Sequence, residues 1–215
     1  DYAKQVAAQG FNAPHYGDPD KQAKAITAYV NSHGGIAGRP VEAVIETLAG
    51  HDENSRQQLC VKFAEEDHVF AVLNVLESTE SMIQCYVTHH ILFFDEGLFH
   101  VDADTYRTDA PYLWSIGAPD ESRAVASLVQ GLGQRQFLRP GVKLGVVTTD
   151  FPSEKNVYDH TLVPMLAALN ITPTAKVFLD PFSPSYSQQM QNAVVQFRKA
   201  GVDHVIFPGD GGGQQ

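Results

Sequence analysis

Two short stretches carry side chains suited to holding a small polar molecule, Glu77-Ser78-Thr79 and Asp95-Glu96-Gly97. The first follows the apolar run Val69 to Leu73 and precedes a segment with Met82, Ile83, Cys85 and Tyr86, so it stands where a strand passes into a helix. Hydroxyls and the amides of a first helical turn can together hold a carboxylate. The same residues serve equally as plain helix caps, and both readings stay open. The second stretch closes the run Ile91 to Phe94. Two adjacent carboxylates repel an anion and favour an amine or a hydroxyl-rich molecule; solvated loop acids are the alternative. Asp150-Phe151 follows a further apolar run and offers an aromatic ring to a cleft.

Other chemistries lack their residues. His100-x-Asp102-x-Asp104 alternates metal-ligand types, but on one loop with no second cluster, so no metal is expected. The glycines at 209–213 do not form Gly-x-Gly-x-x-Gly after a first strand, which argues against a dinucleotide, and no cofactor is expected. There is no Gly-x-Ser-x-Gly elbow, and no Cys/His or paired-carboxylate set stands out. His89-His90 reads as a helix end, and Asn170-Ile171-Thr172 matches a glycosylation acceptor.

Composition narrows the class further. The chain has 215 residues, 43% hydrophobic and 19% charged, which supports a packed core and fits two small domains or one large one. A formal charge of -10 with no cluster among its 15 basic residues argues against nucleic acid as a partner. No apolar run approaches the roughly 20 residues a membrane helix needs. The start, Asp1-Tyr2-Ala3-Lys4, has no basic segment followed by an apolar one, so any export signal is expected to have been removed.

The elements that position these residues follow from periodicity. Asp18-Pro19 starts a helix whose Ala23, Ile26, Tyr29 and Val30 share a face, and Gly34-Gly35 ends it. Strands are expected at Val41 to Glu46, Val69 to Leu73, Ile91 to Phe94, Tyr112 to Ile116, Lys143 to Thr148, Ala175 to Leu179 and His204 to Phe207. Helices are expected over 55–67, from Glu77, from Asp120 with Ala124, Val125, Leu128 and Leu132 inward, from an N-capping Ser153 to Leu169, interrupted or kinked at Pro164, and over Ser185 to Ala200. Leu98 to Pro111 reads as irregular. Strands alternating with helices imply parallel sheets covered on both faces.

One stretch adds a family resemblance. Tyr29-Val30-Asn31-x-x-Gly34-Gly35-Ile36-x-Gly38-Arg39 resembles the first-lobe signature of type I periplasmic binding proteins of the leucine/isoleucine/valine-binding group, the solute receptors of ABC importers. The resemblance implies an α/β fold of two doubly wound parallel-sheet lobes, here expected at 1–117 and 118–215, with both ends of the fold missing. It implies a small-molecule ligand, an amino acid or other amine, captured between closing lobes. It also implies a membrane permease as partner, no enzymatic activity, and a place in the periplasm or at the cell surface, where a lipid anchor is one arrangement.

The resemblance also assigns roles to residues. Tyr16 corresponds to a cleft aromatic after the first strand, and Glu77, Ser78 and Thr79 to a turn that holds a ligand's α-carboxylate and α-ammonium groups. Asp95, Glu96 and Gly97 replace the small or hydroxyl residues usual in the family, a departure that points away from an ordinary branched-chain amino acid. Phe151 is a cleft aromatic of the second lobe, and Asp210 lies where groups face a ligand's amine. Cys60 and Cys85 fall in helices flanking one strand, on the same face of a doubly wound sheet, and related receptors carry cysteines there. A disulfide is the expectation, with two buried thiols as the alternative. An α/β enzyme using Asp95, Glu96, Asp150 or His100, and a sensory ligand-binding module of the same fold, are the rival functions.

Overall fold

Short apolar, β-branched runs become strands and longer segments with 3.6-residue periodicity become helices in the computed structural model, which describes residues 17–48, 53–74, 78–95, 101–115, 119–180 and 183–209. The chain divides into two units, Asp1–Thr47 and Leu48–Gln215.

In the first unit, Asp18 caps helix α1 (Pro19–Ser32) by accepting from the Lys21 amide at 3.2 Å, with Pro19 in the first turn, where its missing N–H costs nothing. Gly34 and Gly35 then take φ of 97° and 72°. At Gly35 an added Cβ would lie 1.9 Å from the Arg39 carbonyl oxygen, because Ile36 and Arg39 close a tight bridge with two backbone hydrogen bonds of 2.8 and 3.0 Å.

Val41 to Glu46 was expected as a strand and is not one. Among the described residues it joins no sheet. Instead the Asn31 side-chain amide takes both backbone groups of Val41, accepting from its N–H at 2.6 Å and donating to its carbonyl at 2.9 Å. One side chain thus satisfies a single residue in the way a strand would satisfy a whole ladder. No α1 side chain is buried, and Ile26 and Tyr29 stand 63% and 65% exposed.

The second unit carries two parallel sheets. The first half runs α2 (Glu53–Val61), a π-helical turn (Lys62–Glu66), β1 (Ala71–Asn74), α3 (Glu80–Thr88), β2 (Leu92–Asp95), α4 (Ala103–Thr108) and β3 (Leu113–Ser115). Its strands pair in the order β1-β2-β3, with Val72 opposite Phe93 and Phe93 opposite Leu113. Cys60, Phe63, Val72, Met82, Ile83, Tyr86 and Phe93 form its core, the Tyr86 and Phe93 rings stacking at 4.9 Å. Cys60 and Cys85 form a disulfide across α2 and α3, their Cα atoms 6.4 Å apart. Helix α4 falls in the stretch expected to be irregular. The Asp102 carboxylate starts it by accepting from the Thr105 amide at 2.7 Å, a capping pair hidden among scattered polar residues.

The second half runs α5 (Glu121–Gln134), β4 (Leu144–Thr149), α6 (Pro152–Val157), a π-helical turn (Tyr158–Leu162), α7 (Val163–Ala168), β5 (Ala175–Leu179), α8 (Tyr186–Ala200) and β6 (His204–Ile206). Its sheet has the order β5-β4-β6. Strand β4 is central and buried along its whole length, and each Leu or Val buried there contributes about 1.5–3 kcal/mol.

Three local expectations change in this half. The deeply buried stripe of α5 is Glu121, Val125 and Val129, spaced by four, with Leu128 only half-buried. Phe151, not Ser153, occupies the N-cap of α6, because Pro152 fixes the first helical position one residue earlier. The interruption expected at Pro164 lies just before it, as the π-helical turn Tyr158–Leu162, and Pro164 itself stands in the first turn of α7.

Candidate functional site

Parallel strands point their carboxyl ends at the starts of the helices that follow, so polar residues at these junctions converge. At the ends of β1 and β2 they form a buried chain. Asn74 donates from Nδ2 to Ser78 Oγ at 2.7 Å, and Ser78 Oγ donates to Asp95 Oδ1 at 2.6 Å. All three are at least 95% buried. Tyr106 lies in the same field: burial pushes its phenol up, a hydrogen bond with Ser115 works against that, and the charges of Asp95 and Asp120 add to the rise.

Thr79 caps α3, accepting from the Met82 amide at 3.3 Å, and its hydroxyl also donates to Glu53 Oε1 at 3.3 Å. The same Glu53 oxygen accepts from the Ser81 hydroxyl. The next residue, Glu80, reaches the other half: its Oε1 accepts from the Ser153 amide in the first turn of α6 at 2.8 Å. Asp102 does likewise, accepting from Asn156 Nδ2 at 2.7 Å. Within α6, Glu154 is 2% exposed and accepts from the Thr148 hydroxyl. An added Cβ at Gly209 would meet Glu154 Oε2 at 2.1 Å, so a larger residue there would push this carboxylate aside.

Between these groups runs a narrow cleft whose polar lining is Ser78, Thr79, Glu80, Thr105 and Ser153 and whose apolar lining is Ile83, Val101 and Phe151. The open space is about 20 Å3, on the order of a single water. Among the described residues the lining contains one carboxylate, that of Glu80, and no Lys, Arg or His side chain. No group of three or more His, Cys, Asp or Glu capable of holding a metal occurs among the described residues.

The profile described as periplasmic binding protein matches residues 10–214, almost the whole chain. The chain belongs to the periplasmic binding protein family. Solved structures of similar fold include a substrate-binding protein of an ABC transporter from Desulfitobacterium hafniense in complex with Leu, at 14% identity and a TM-score of 0.56, covering 89% of this chain and 55% of that one. A solute-binding protein of an ABC transporter from R. palustris in complex with 4-hydroxybenzoate has 12% identity and a TM-score of 0.62, covering 85% and 47%. A periplasmic binding protein from Burkholderia mallei has 14% identity and a TM-score of 0.62, covering 89% and 49%. The chain therefore spans about half the length of the solved structures it matches. Comparison with curated protein sequences gives no match. The family assignment bears out the α/β parallel-sheet fold and the resemblance carried by Tyr29 to Arg39.

Of the residues singled out from the sequence of this periplasmic binding protein, Ser78, Thr79 and Phe151 come together on the cleft. Asp95 lies behind it, fully buried and bonded by Ser78. Tyr16, Glu77, Glu96, Gly97 and Asp210 lie outside the described residues. Glu80, Asp102, Ser153 and Asn156 were not singled out as site residues. A signal existed for the two acids: each stands at the start of a helix that faces a strand end, the N-terminal position where a carboxylate is favoured.

Proposed function

We propose that the chain is the ligand-capturing part of an extracytoplasmic solute receptor of an ABC importer, holding a small amine-bearing molecule such as an amino acid between two lobes, 1–117 and 118–215, that close around it. The observation that carries the reading is the cleft at the ends of β1, β2 and β4, whose lining among the described residues offers hydroxyls, one aromatic ring and a carboxylate without a cation. Such a lining attracts an ammonium group and repels free carboxylates. Ser78, Thr79 and Phe151 are the ligand-facing residues, with Asp95 holding Ser78 in place, and Tyr16, Glu77, Glu96, Gly97 and Asp210 complete the site. The Cys60–Cys85 disulfide fits an oxidising compartment, periplasm or cell surface, where a membrane permease would read the closed form. Binding needs no catalytic group, only a ligand that prefers the closed state.

A thermal-shift panel of amino acids, polyamines, hydroxybenzoates and dicarboxylates tests this. At a hundredfold excess over Kd a ligand stabilises by about 2.7 kcal/mol, which raises Tm by roughly 5–10 °C in a protein of this size. Hits among amine-bearing compounds are expected. A panel answered only by dicarboxylates or hydroxybenzoates overturns the charge argument, and turnover of any hit overturns the receptor reading.

A further inference from the structure

The cleft lies at the carboxyl ends of the strands, and the opposite edge of the β5-β4-β6 sheet carries charge of the other sign. Three turns meet there: 135–143 between α5 and β4, 169–174 between α7 and β5, and 201–203 between α8 and β6. Parallel pairing dictates this, since each helix-to-strand turn must return to the same edge. Arg135 caps α5, Arg139 and Lys143 follow on the turn, and Arg198 and Lys199 stand at the end of α8. All five are exposed. They come from two stretches far apart in sequence, and two contacts show that the fold joins them. The Phe137 and His204 rings meet at 4.7 Å, and Lys143 Nζ lies 3.5 Å from where a Cβ on Gly201 would stand.

These turns hold one acid, Asp203, and it is engaged locally: it accepts from the Lys143 amide at 2.9 Å and pairs with His204 Nδ1 at 2.7 Å. None of the five cations forms an ion pair among the described residues. One edge thus gathers five of the 15 Lys and Arg residues and one of the 25 acids of a chain with net charge -10. The corresponding edge of the β1-β2-β3 sheet carries Glu65, Glu66 and Asp67 just ahead of β1, so basic charge there is no general consequence of the fold. Helix dipoles account for cations at the ends of α5 and α8. They do not account for Arg139 and Lys143 on the turn, or for the Phe137 ring standing 37% exposed among them.

We infer that this edge is a docking surface for a bilayer containing anionic phospholipid. A periplasmic binding protein works outside the cytoplasm, within reach of membrane headgroups. Cations dispersed around an exposed aromatic suit a plane of phosphates, whereas one small anion needs donors converging in a pocket. The net negative charge does not prevent the approach. At physiological salt the Debye length is about 8 Å, while the six residues of β4 set the acids at its far end roughly 20 Å away. The inference rests on the family's place outside the cytoplasm and is independent of the ligand.

Co-sedimentation of the full 215-residue chain with vesicles tests it, comparing phosphatidylcholine alone with a mixture containing about 30 mol% phosphatidylglycerol. Binding to the mixed vesicles at about 20 mM salt, its loss at about 0.5 M, and none to phosphatidylcholine are expected. R198Q/K199Q should weaken binding on the order of 25-fold, about fivefold for each cation. K24Q/R123Q removes the same charge from exposed positions elsewhere and should leave binding within about twofold. Should the α8 pair fail to fold, K143Q on the turn carries the readout, with a loss of about fivefold. Equal losses in the two double variants overturn the surface, because they would make the effect one of net charge. Binding to soluble polyglutamate under conditions where the mixed vesicles are ignored overturns it in favour of an acidic protein partner.

Discussion

Removing the Cys60–Cys85 disulfide by the double substitution C60A/C85A isolates the part of the stability that comes from the cross-link. The bridge closes 25 residues, from α2 through β1 into α3. In the chain-entropy relation this restricts the unfolded chain by about 12 cal/mol/K, or about 3.5 kcal/mol at 25 °C. Loss of the buried Cys60 sulfur adds a packing cost in the same direction. For a protein of this size the loss corresponds to a fall in Tm of roughly 7–14 °C. Urea unfolding followed by tryptophan fluorescence reads it directly, since the sole tryptophan, Trp114, lies on β3 in the half that contains the bridge. The midpoint should fall and the slope m should rise, because an uncrosslinked chain expands further on unfolding. An unfolding free energy within about 1 kcal/mol of the parent, at unchanged m, would refute the argument that the bridge holds this half together.

Two more outcomes follow from local geometry. G35A should abolish exchange protection of the Ile36 and Arg39 amides, because its Cβ would overlap the Arg39 carbonyl at 1.9 Å, whereas G34A, with nothing within 4 Å, should cost only about 1 kcal/mol for its positive φ; equal effects would contradict the steric account. Tyr86 is fully buried, its hydroxyl has no hydrogen-bond partner, and burial pushes its phenol well above the ordinary value. Its folded pKa exceeds the unfolded value near 10, so its contribution is complete below about pH 10 and is lost as pH rises beyond it. Y86F should flatten the alkaline fall in Tm and leave stability at pH 7 within about 1 kcal/mol; an unchanged alkaline slope would sink the assignment.

What the sequence made legible was whatever a segment decides by itself. Ala175 to Leu179 forms a strand over the expected residues, and Asp18-Pro19 starts a helix as its capping chemistry dictates, because both depend on neighbours within a few positions. Val41 to Glu46 has the composition of a strand, yet a strand is a relation between two segments; among the described residues it joins no sheet, and the Asn31 side chain takes the backbone of Val41. Pro164 reads as the point where the helix is interrupted or kinked, and the π-helical turn that interrupts it comes just before. The candidate site shows the same division. Ser78 and Thr79 were recognisable as polar residues at a strand end, but which atoms they face depends on Asp95 and Glu53, residues 17 and 26 positions away.

That dependence bears on how such a cleft can select a ligand. The Ser78 hydroxyl has one proton, and it goes to Asp95 at 2.6 Å while Asn74 donates to its oxygen at 2.7 Å. With its proton committed, Ser78 has only an oxygen lone pair left to offer, so toward a ligand it is an acceptor. Thr79 spends its proton in the same way, on Glu53, and Glu80 is an acceptor by charge. A strand end that reads from its residue types as a donor set for a carboxylate is thus converted by two neighbouring acids, the buried Asp95 and the exposed Glu53, into an acceptor set. Acceptors recognise N–H groups, and an ammonium offers three of them. The buried Asp95, which touches no cleft surface, therefore acts on ligand choice in the proposed site by fixing the direction in which its neighbour's hydroxyl points.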